Sequence, residues 1–268
     1  MEYDPIKRSL GKVFNSTPVL RKLFYKLLDL LLLRTWHVKK EIREWSRGHS
    51  GPANILDAGM GFGQYSYFLS SFNENWKVKG VDVKEEQIAD CNAFFQKIGR
   101  TNASFAFADL TAFGEPSTYD LILSVDVMEH IKEDETVFRN FCSSLKENGV
   151  LLISTPSDLG GSDVHGEEDA SFIDEHVRNG YNAGDIAEKL TRAGFRSVET
   201  KYTYGRPGRI SWRLTMKYPV KMLNVSYLFF ILLPFYYLIF FPVSVILNFF
   251  DLCMDHKSGT GLLVVARK

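Results

Sequence analysis

The sequence predicts an α/β fold, in which helices cover both faces of a mostly parallel sheet. Between residues 51 and 205, short apolar runs alternate with longer segments whose apolar residues recur at helical spacing. The first four runs each end at or near an aspartate, and a glycine-rich turn follows the first. Ligands bind beyond the carboxyl ends of the strands in such sheets, so the aspartates predict a binding site at one edge.

A leucine-rich helical extension is predicted over residues 1–50. Thr17-Pro18 is typical of a helix start, because proline suits the first turn of a helix. From there to about Trp45, leucines recur at helical spacing between lysines and arginines. This pattern fits helices packed on the sheet or over its ligand, and it also fits a basic amphipathic helix on an anionic membrane surface.

The first strand runs into a turn that is suited to a ligand. Asp57 closes the strand, and Gly59, Gly61 and Gly63 follow at every second position. Glycine permits positive φ angles and leaves no Cβ between the backbone and a ligand. A helix opens directly after the turn, and its unpaired N–H groups suit a carboxylate or phosphate. The G-x-G-x-x-G spacing of dinucleotide folds is absent, and a turn without any ligand remains the alternative.

The later strands strengthen the prediction of a nucleoside site. Asp82 ends the second strand, about 20 residues past the turn, where a carboxylate can accept both hydroxyls of a ribose. Asp109 ends the third strand and is placed to meet an adenine amino group. Asp126 ends the fourth strand. Further strands are predicted over residues 149–156, 196–204 and 261–267.

Taken together, these motifs resemble the class I S-adenosylmethionine-dependent methyltransferases, from about Asn54 to Phe195 and again in the last strand. The resemblance implies a Rossmann-like sheet of seven strands with the last one antiparallel, and S-adenosylmethionine as the cofactor. The Glu129-His130 and Ile153-Ser-Thr-Pro156 motifs are most similar to the ubiquinone-biosynthesis O-methyltransferase branch. The cofactor-binding residues that the resemblance implies are Asp57, Gly59, Gly61, Gly63, Asp82, Val83, Asp109, Leu110 and Ser124.

Two histidines are candidates for a general base. If the acceptor presents a hydroxyl, a base helps to remove its proton, and histidine has a suitable pKa. His130 and His165 both lie near the carboxyl edge by sequence order. Asp126, Glu129 and His130 also have the spacing that places three ligands on one helical face. Magnesium is therefore an open alternative, although Glu-His at this point can equally serve to pack near the cofactor, and no metal-binding residue is assigned.

A long apolar insert separates the last two strands. About 29 consecutive residues between Lys221 and Asp251 carry no charge, which is long enough to span a bilayer. In the sheet that the resemblance implies, the sixth strand ends and the seventh begins at the same edge, so the insert must leave and return on one side of a membrane. Pro234 and Pro242 are expected to break the run into two short halves. The residues that precede the run are basic: Arg206, Arg209, Arg213, Lys217 and Lys221.

The insert is accordingly predicted to be a helical hairpin that dips into one leaflet, with its basic approach matched to anionic lipid. A buried helical subdomain or a homodimer interface is the alternative. The expected divisions are an extension over 1–50, a core over 51–205 with 258–268, and the insert over 206–257. The formal net charge is zero, which gives no basic field for nucleic acid.

The expected function is methyl transfer to a small hydrophobic acceptor, such as a quinone, a polyene or another lipid precursor. The expected location is the cytoplasmic face of a membrane, or otherwise the cytoplasm. One alternative is a soluble small-molecule or glycan acceptor, with the insert as a lid or dimer interface. Another is a catalytically silent methyltransferase fold that serves as a membrane assembly subunit.

Overall fold

A mixed sheet forms the centre of the molecule, which is described here by a computed structural model covering residues 17–49, 51–160, 177–226 and 228–268. Its strand order is β3-β2-β1-β4-β5-β7-β6. Only β7 runs antiparallel to its neighbours, β5 and β6. The predicted fold class is therefore confirmed. The strands are β1 (Ala53–Ala58), β2 (Trp76–Asp82), β3 (Ala103–Phe107), β4 (Tyr119–Val125), β5 (Leu145–Pro156), β6 (Ser197–Thr203) and β7 (Gly261–Arg267).

Helices surround this sheet and extend from one edge of it. A 3-10 turn over Met128–His130 follows β4, and a π-helical turn over Arg213–Lys217 joins two helices of the insert. The α-helices are α1 (Pro18–Leu31), α2 (Leu33–Arg47), α3 (Gln64–Phe72), α4 (Glu85–Lys97), α5 (Asp134–Ser144), α6 (Ala183–Arg192), α7 (Arg206–Trp212), α8 (Tyr218–Val225) and α9 (Phe229–Cys253).

Alternate residues of each strand pack on opposite faces of the sheet. Leu56 and Ile122 contribute to the face that α5 and α6 cover. Ile55 and Leu121 contribute to the other face, where Val38 of α2 packs with α3. The second helix of the extension is thus part of the hydrophobic core. This agrees with the prediction that helices of this segment pack on the sheet.

The first helix of the extension has two different faces. Its inner face carries Tyr25, which packs with α4. Its outer face leaves large apolar side chains in the open, among them Val19, which is 75% exposed, and Leu23, Leu27 and Leu30. The alternative that this helix touches a membrane therefore stays open for α1.

The insert folds as a hairpin of helices. The outgoing arm consists of α7, the π turn and α8, and α9 returns beside it. Ser211 Oγ donates to the Ser244 carbonyl at 3.2 Å near the base, and Tyr237 OH donates to the Thr215 carbonyl at 2.7 Å further out. Both ends of the hairpin join the same edge of the sheet, because β6 ends where β7 begins.

The expectation that two prolines would break the apolar run is wrong. Helix α9 continues from Phe229 to Cys253 through both Pro234 and Pro242. A proline inside a helix removes a single backbone donor, and a neighbouring helix can compensate for the local disturbance. The outgoing arm packs against this part of α9, and Tyr236 OH also donates to it, at the Leu214 carbonyl. By length and composition α9 is the one helix in the described ranges that could cross a membrane.

A buried carboxylate anchors the base of the hairpin. Asp251 is fully buried and lies 3.0 Å from Nε2 of His37 and 3.1 Å from Nε2 of His256. The backbone N–H groups of Tyr204 and Gly208 donate to the same carboxylate. Burial alone would raise the pKa of Asp251, but the hydrogen bond from His37 and the neighbouring positive charges hold it below its ordinary value.

Candidate active site

The glycine-rich turn after β1 adopts the backbone that its sequence predicts. Gly59, Gly61 and Gly63 have φ angles of 77°, 50° and 73°. The N–H of Gly59 donates to the Val81 carbonyl at 2.8 Å, which fastens the turn to the end of β2. The N–H of Gly61 donates to Asp82 Oδ2 at 3.0 Å. The turn and the second acid therefore form one unit.

The space around Gly59 differs from that around Gly61: the first glycine is closely packed, and the second is open. A Cβ at Gly59 would lie 2.3 Å from Cγ2 of Val127, so this glycine is required by packing. A Cβ at Gly61 would find only Gln87 Oε1, at 3.9 Å. The backbone at Gly61 thus adopts the left-handed region, which glycine accepts without strain, and has open space beside it, as a cradle for a ligand needs.

The predicted acids occupy two levels of the site. Asp57 is buried beneath the turn, where its Oδ2 accepts a 2.6 Å bond from Ser66 Oγ, and burial raises its pKa to about 6. Asp82 lies at the edge, and its second oxygen accepts from the N–H of Lys84 at 3.0 Å. Two oxygens still offer further lone pairs to a ribose. Val83, beside it, is 55% exposed.

The remaining predicted cofactor residues also comprise exposed and buried ones. Asp109 is exposed, and hydrogen bonds from the hydroxyl and N–H of Thr111 lower the pKa of its carboxyl. Leu110 is buried below it. Ser124 is fully buried in β4, and its hydroxyl has no partner in the described part of the chain. The individual roles of all these residues stay predictions.

The first helix of the extension clamps the turn from outside. Arg21 is buried, and its Nη2 donates to the Phe62 carbonyl at 2.9 Å. Its Nη1 donates to the carbonyl of Asp90 at 3.1 Å. Tyr25 OH donates to the same Phe62 carbonyl. Helix α1 therefore fixes the backbone between Gly61 and Gly63. No sequence motif predicted this contact.

A cavity of about 110 Å³ opens at the same edge of the sheet. It lies at the ends of β4, β5 and β6 and the start of β7. Its proximity to the turn follows from Val127, which touches Gly59 and directly follows a residue of the cavity wall, Asp126. The wall consists of Arg34, Asp126, Ser154, Thr155, Pro156, Gly160, Thr203, Tyr204, Arg209, Trp212, Arg213, Thr260 and Gly261.

Two residues of the cavity wall have an unusual backbone. Asp126 and Tyr204 have φ angles of 52° and 54°, in a region that large side chains rarely adopt. Arg34 joins them, because it pairs with the Asp126 carboxylate and its N–H donates to Tyr204 OH at 3.0 Å. Such strain persists only where the surroundings impose it, and it concentrates at functional sites.

A neutral carboxyl group lies directly behind this wall. Glu129 is 1% exposed and accepts a 3.1 Å bond from Thr155 Oγ1. Burial raises the pKa of Glu129 to about 8, and the negative charge of Asp126 adds to the effect. Asp126 is therefore the acid that lines the cavity, whereas Glu129 lies behind the wall and holds its proton at neutral pH.

The candidate bases are placed unevenly. His130 is exposed at the end of the 3-10 turn and does not belong to the wall of the cavity. His165 lies outside the described residues. The described ranges contain no cluster of three potential metal ligands, so Asp126, Glu129 and His130 give no support there to the magnesium alternative.

Sequence reasoning missed part of the wall of this cavity. Arg209 and Arg213 were predicted as a basic approach to a membrane, but they also line the cavity. Their position just after the carboxyl end of β6 was a usable signal, because that end lies at the ligand-binding edge. Arg34 and Tyr204 gave no comparable signal, since each comes to the site through packing between distant segments.

Comparisons with known proteins agree with this geometry. Residues 49–198, more than half of the chain, match a family described as "Methyltransferase domain". A phosphoethanolamine N-methyltransferase of Triticum aestivum is 32% identical over 146 residues, which is 54% of this chain and 28% of that protein. A ubiquinone biosynthesis O-methyltransferase of Rickettsia canadensis is 23% identical over 168 residues, 60% of this chain and 70% of that protein.

One solved structure shows the same fold. It is phosphoethanolamine N-methyltransferase 2 of Haemonchus contortus in complex with S-adenosyl-L-methionine, with a TM-score of 0.62 and 19% identity. The likeness covers 86% of this chain and 52% of that one. The chain thus spans under a third of the wheat relative and about half of the nematode one, and both N- and O-methyltransferases are among the relatives.

Proposed function

The chain belongs to the methyltransferase-domain family, and from this premise we propose that it is an S-adenosylmethionine-dependent methyltransferase that acts on a lipid-soluble small molecule at a membrane surface. The intact turn, with its open cradle at Gly61 and the carboxylate of Asp82 beside it, supports use of the cofactor. The nature of the insert supports the location and the class of acceptor.

S-adenosylmethionine supplies an electrophilic methyl group on a sulfonium centre. This chain's own residues would hold that group: the turn would take the methionine end, Asp82 would accept the ribose hydroxyls, and Asp109 would meet the adenine. The cavity would hold the acceptor and orient it for displacement at the methyl group.

An acceptor hydroxyl or amine also loses a proton during this displacement. His130 and His165 remain the predicted bases for it. Asp126 is a further candidate, because its carboxylate lines the cavity. It pairs with Arg34 at the wall of the cavity, where a base would meet the acceptor.

The orientation of α9 is the observation that carries the membrane proposal. The residues that this helix buries against the protein are Ser244, Asn248 and Asp251, which are polar. The residues that it exposes are large and apolar, such as Phe235 at 66% and Leu238 at 76%. A surface helix of a soluble protein has the opposite arrangement. Helix α9 is therefore suited to contact lipid over most of its length.

The topology brings this apolar surface to the active-site edge. Both arms of the hairpin start beside the cavity, and the wall of the cavity includes Trp212 and Arg213 from the outgoing arm. A hairpin that lies in one leaflet would place the cavity opening at the level of the lipid headgroups. An acceptor dissolved in that leaflet could then reach the methyl group without crossing water.

Vesicle flotation tests the membrane contact. Aspartate at both Phe235 and Leu238 should abolish flotation of the full chain with lipid vesicles, since burying two charges in hydrocarbon is costly. The matched control exchanges the two side chains, Phe235→Leu with Leu238→Phe, and should float like the original. Full solubility without detergent, with no flotation of the original chain, would refute the contact.

The same variants examine a second candidate function. The relatives named for phosphoethanolamine favour a soluble acceptor, in which case the apolar face would be a lid or a dimer interface. If the original chain is a dimer in water and the aspartate variant is a monomer, that alternative is correct. A silent methyltransferase fold would bind no S-adenosylhomocysteine, and Asp82→Ala would change nothing in a calorimetric titration.

A further inference from the structure

Helix α1 carries an apolar stripe along its exposed side. The stripe consists of Val19, Leu23, Leu27 and Leu30, which are all exposed. These residues recur at spacings of three and four positions, so they share one side of the helix. The outward side of a helix in a soluble protein is normally polar, and an apolar stripe in that position indicates a binding surface.

Basic residues accompany the apolar stripe. Lys22 and Lys26 lie one helical turn apart, and each directly precedes a leucine of the stripe. The helix contains one acid, Asp29, whose carboxylate lies 2.5 Å from Lys39 Nζ and accepts a 2.7 Å bond from Gln64 Nε2. Apolar side chains beside lysines, with the single acid of the helix engaged elsewhere, suit an anionic lipid surface.

The end of α1 approaches the end of α9. Asp29 of α1 and Leu252 of α9 line a common groove. Lys40 of α2 lines the same groove and donates to the Leu252 carbonyl at 3.2 Å. On α9, the neighbouring Phe249 and Phe250 are exposed. The end of the apolar stripe is thus close to the surface that is proposed to contact lipid, which favours lipid as its occupant over a separate protein.

The opposite side of α1 is fastened to the cofactor turn. Arg21 and Tyr25 are buried, and both donate to the Phe62 carbonyl. The carboxylate near the end of the helix accepts from the side chain of Gln64, which directly follows Gly63. One short helix therefore combines an outer side suited to lipid with an inner side that fixes the turn before and after its third glycine.

We propose that α1 is a lipid-sensing element, whose apolar stripe binds an anionic membrane surface and thereby strengthens the hold of its inner side on the cofactor turn. The inference deepens the proposed function, because it assigns regulation by the membrane to the same cofactor site. A helix of 14 residues is only marginally stable by itself. Lipid that binds the folded, docked helix favours the docked state, and the docked state holds the turn ready for the cofactor.

Quenching by brominated lipid tests the occupant of the apolar stripe. The full chain with Leu27→Trp is bound to vesicles of phosphatidylcholine and phosphatidylglycerol whose acyl chains are brominated. The fluorescence that it gains over the original chain should be strongly quenched. If the chain floats with these vesicles but the added fluorescence is not quenched, lipid does not occupy the stripe and the proposal is wrong.

Calorimetric titration with S-adenosylhomocysteine on the same vesicles, without bromine, tests the coupling. Leu23→Gln with Leu27→Gln should weaken binding about fivefold, which is the lower end of ordinary coupling between two sites. Leu23→Met with Leu27→Met is the matched control and should bind like the original chain, because it keeps the stripe apolar. Leucine, methionine and glutamine have similar helix propensities, so neither pair of substitutions changes the stability of the helix itself.

A double-mutant cycle tests the route of the coupling. Tyr25→Phe keeps the ring but removes the hydroxyl that donates to the Phe62 carbonyl. In a chain with Tyr25→Phe, the glutamine pair should cost much less affinity for S-adenosylhomocysteine than in the original chain. An equal cost in both chains would show that α1 does not act through the turn.

The outcomes separate this inference from the proposed function. The glutamine pair leaves α9 intact, so that variant should still float with vesicles. Failure of the original chain to float would refute the membrane location, and failure to bind S-adenosylhomocysteine would refute the methyltransferase activity. Normal flotation and normal binding, with equal affinities in the glutamine and methionine variants, would refute the role of α1 alone.

Discussion

Gly61 and Gly99 adopt a similar backbone for different reasons. Their φ angles are 50° and 67°, and neither has a heavy atom within 3.8 Å of an added Cβ. An alanine at either position should cost about 1 kcal/mol of stability from backbone strain alone. Only Gly61 lies in the cofactor turn, so Gly61→Ala should also weaken S-adenosylhomocysteine binding at least tenfold in calorimetry.

Gly99→Ala is the control for this comparison, and it should bind S-adenosylhomocysteine as tightly as the original chain. Equal binding by both variants would show that the open space at Gly61 is not the cradle.

A second prediction at the scale of residues concerns the protonation of Glu129. The ordinary pKa of this carboxyl is 4.5, and burial raises it to about 8 in the folded chain. Between these values the folded state holds a proton that the unfolded chain has released, so stability falls as pH rises from about 4.5 to about 8. Glu129→Gln removes this fall and should stabilise the chain by about 5 kcal/mol above pH 8.

Chemical denaturation at several pH values measures the effect. The gain from Glu129→Gln should shrink towards zero below about pH 4.5, where the original glutamate is protonated in both states. Glu133→Gln, at an exposed position, should show no such trend. A gain that does not depend on pH would contradict the raised pKa.

Individual residues were predictable from sequence where a strand end placed them. Asp82 and Asp109 lie at the edge of the sheet, as the positions of their strands indicate. The presence of Arg34 and Tyr204 at the site was not predictable, since Arg34 lies in the N-terminal extension and Tyr204 is a residue with positive φ after β6. They meet because α2 packs across the sheet, which is a tertiary contact without a local pattern.

At the scale of elements, Asp251 fixes the hairpin to the domain. It is fully buried, and it joins α9 to His37 of α2 and to the backbone of α7. Asp251→Asn keeps the shape of the side chain but removes its charge. The loss should be about 2 kcal/mol of stability at neutral pH, because the amide has one accepting oxygen fewer for the hydrogen bonds that meet the carboxylate.

The pH dependence of this loss follows from the lowered pKa of Asp251. A carboxyl with a depressed pKa contributes stability that is present above its ordinary value of 3.8 and is lost as pH falls through the folded value. The difference in melting temperature between the original chain and Asp251→Asn should therefore narrow below about pH 4. A difference that persists unchanged in acid would count against the ionic anchor.

Elements of the core were predictable because their apolar periodicity agrees with their position. The hairpin was only partly predictable. Its turning point was placed at the prolines, but the chain turns before α9 begins, and the helix continues through both prolines. The outgoing arm packs along this helix, and such a tertiary contact cannot be read from the proline positions alone.

For the whole molecule, the proposed membrane contact combines the apolar surface of α9 with the basic residues of the outgoing arm. The contributions of these two surfaces to membrane binding respond differently to salt. Binding to vesicles that contain anionic lipid should weaken as salt rises to about 0.5 M, because the charges are screened. Binding to neutral vesicles should change little, since it depends on apolar burial. Flotation over a salt series measures both.

Lys217→Gln with Lys221→Gln should remove most of the salt dependence and leave binding to neutral vesicles intact. These lysines belong to the basic residues of the outgoing arm and do not line the cavity. A basic contribution of this kind would be excluded if neutral and anionic vesicles bound the original chain equally at low salt.

The overall fold was predictable from the order of strands and helices, and the antiparallel last strand was part of that prediction. The relation between the hairpin and the cavity was predictable only in outline, from the common edge of the sheet. The electrostatic character of the cavity was not, since it depends on which arginines of the arm turn towards the strand ends.

The direction of β7 has a kinetic consequence. Because the insert returns to the edge from which it departs, an enzyme held by this hairpin meets only the leaflet in which it is seated. Its turnover would then follow the mole fraction of acceptor in that leaflet and not the bulk molarity. Diluting the acceptor with inert lipid at constant total acceptor should slow the reaction, as in any surface-confined enzyme.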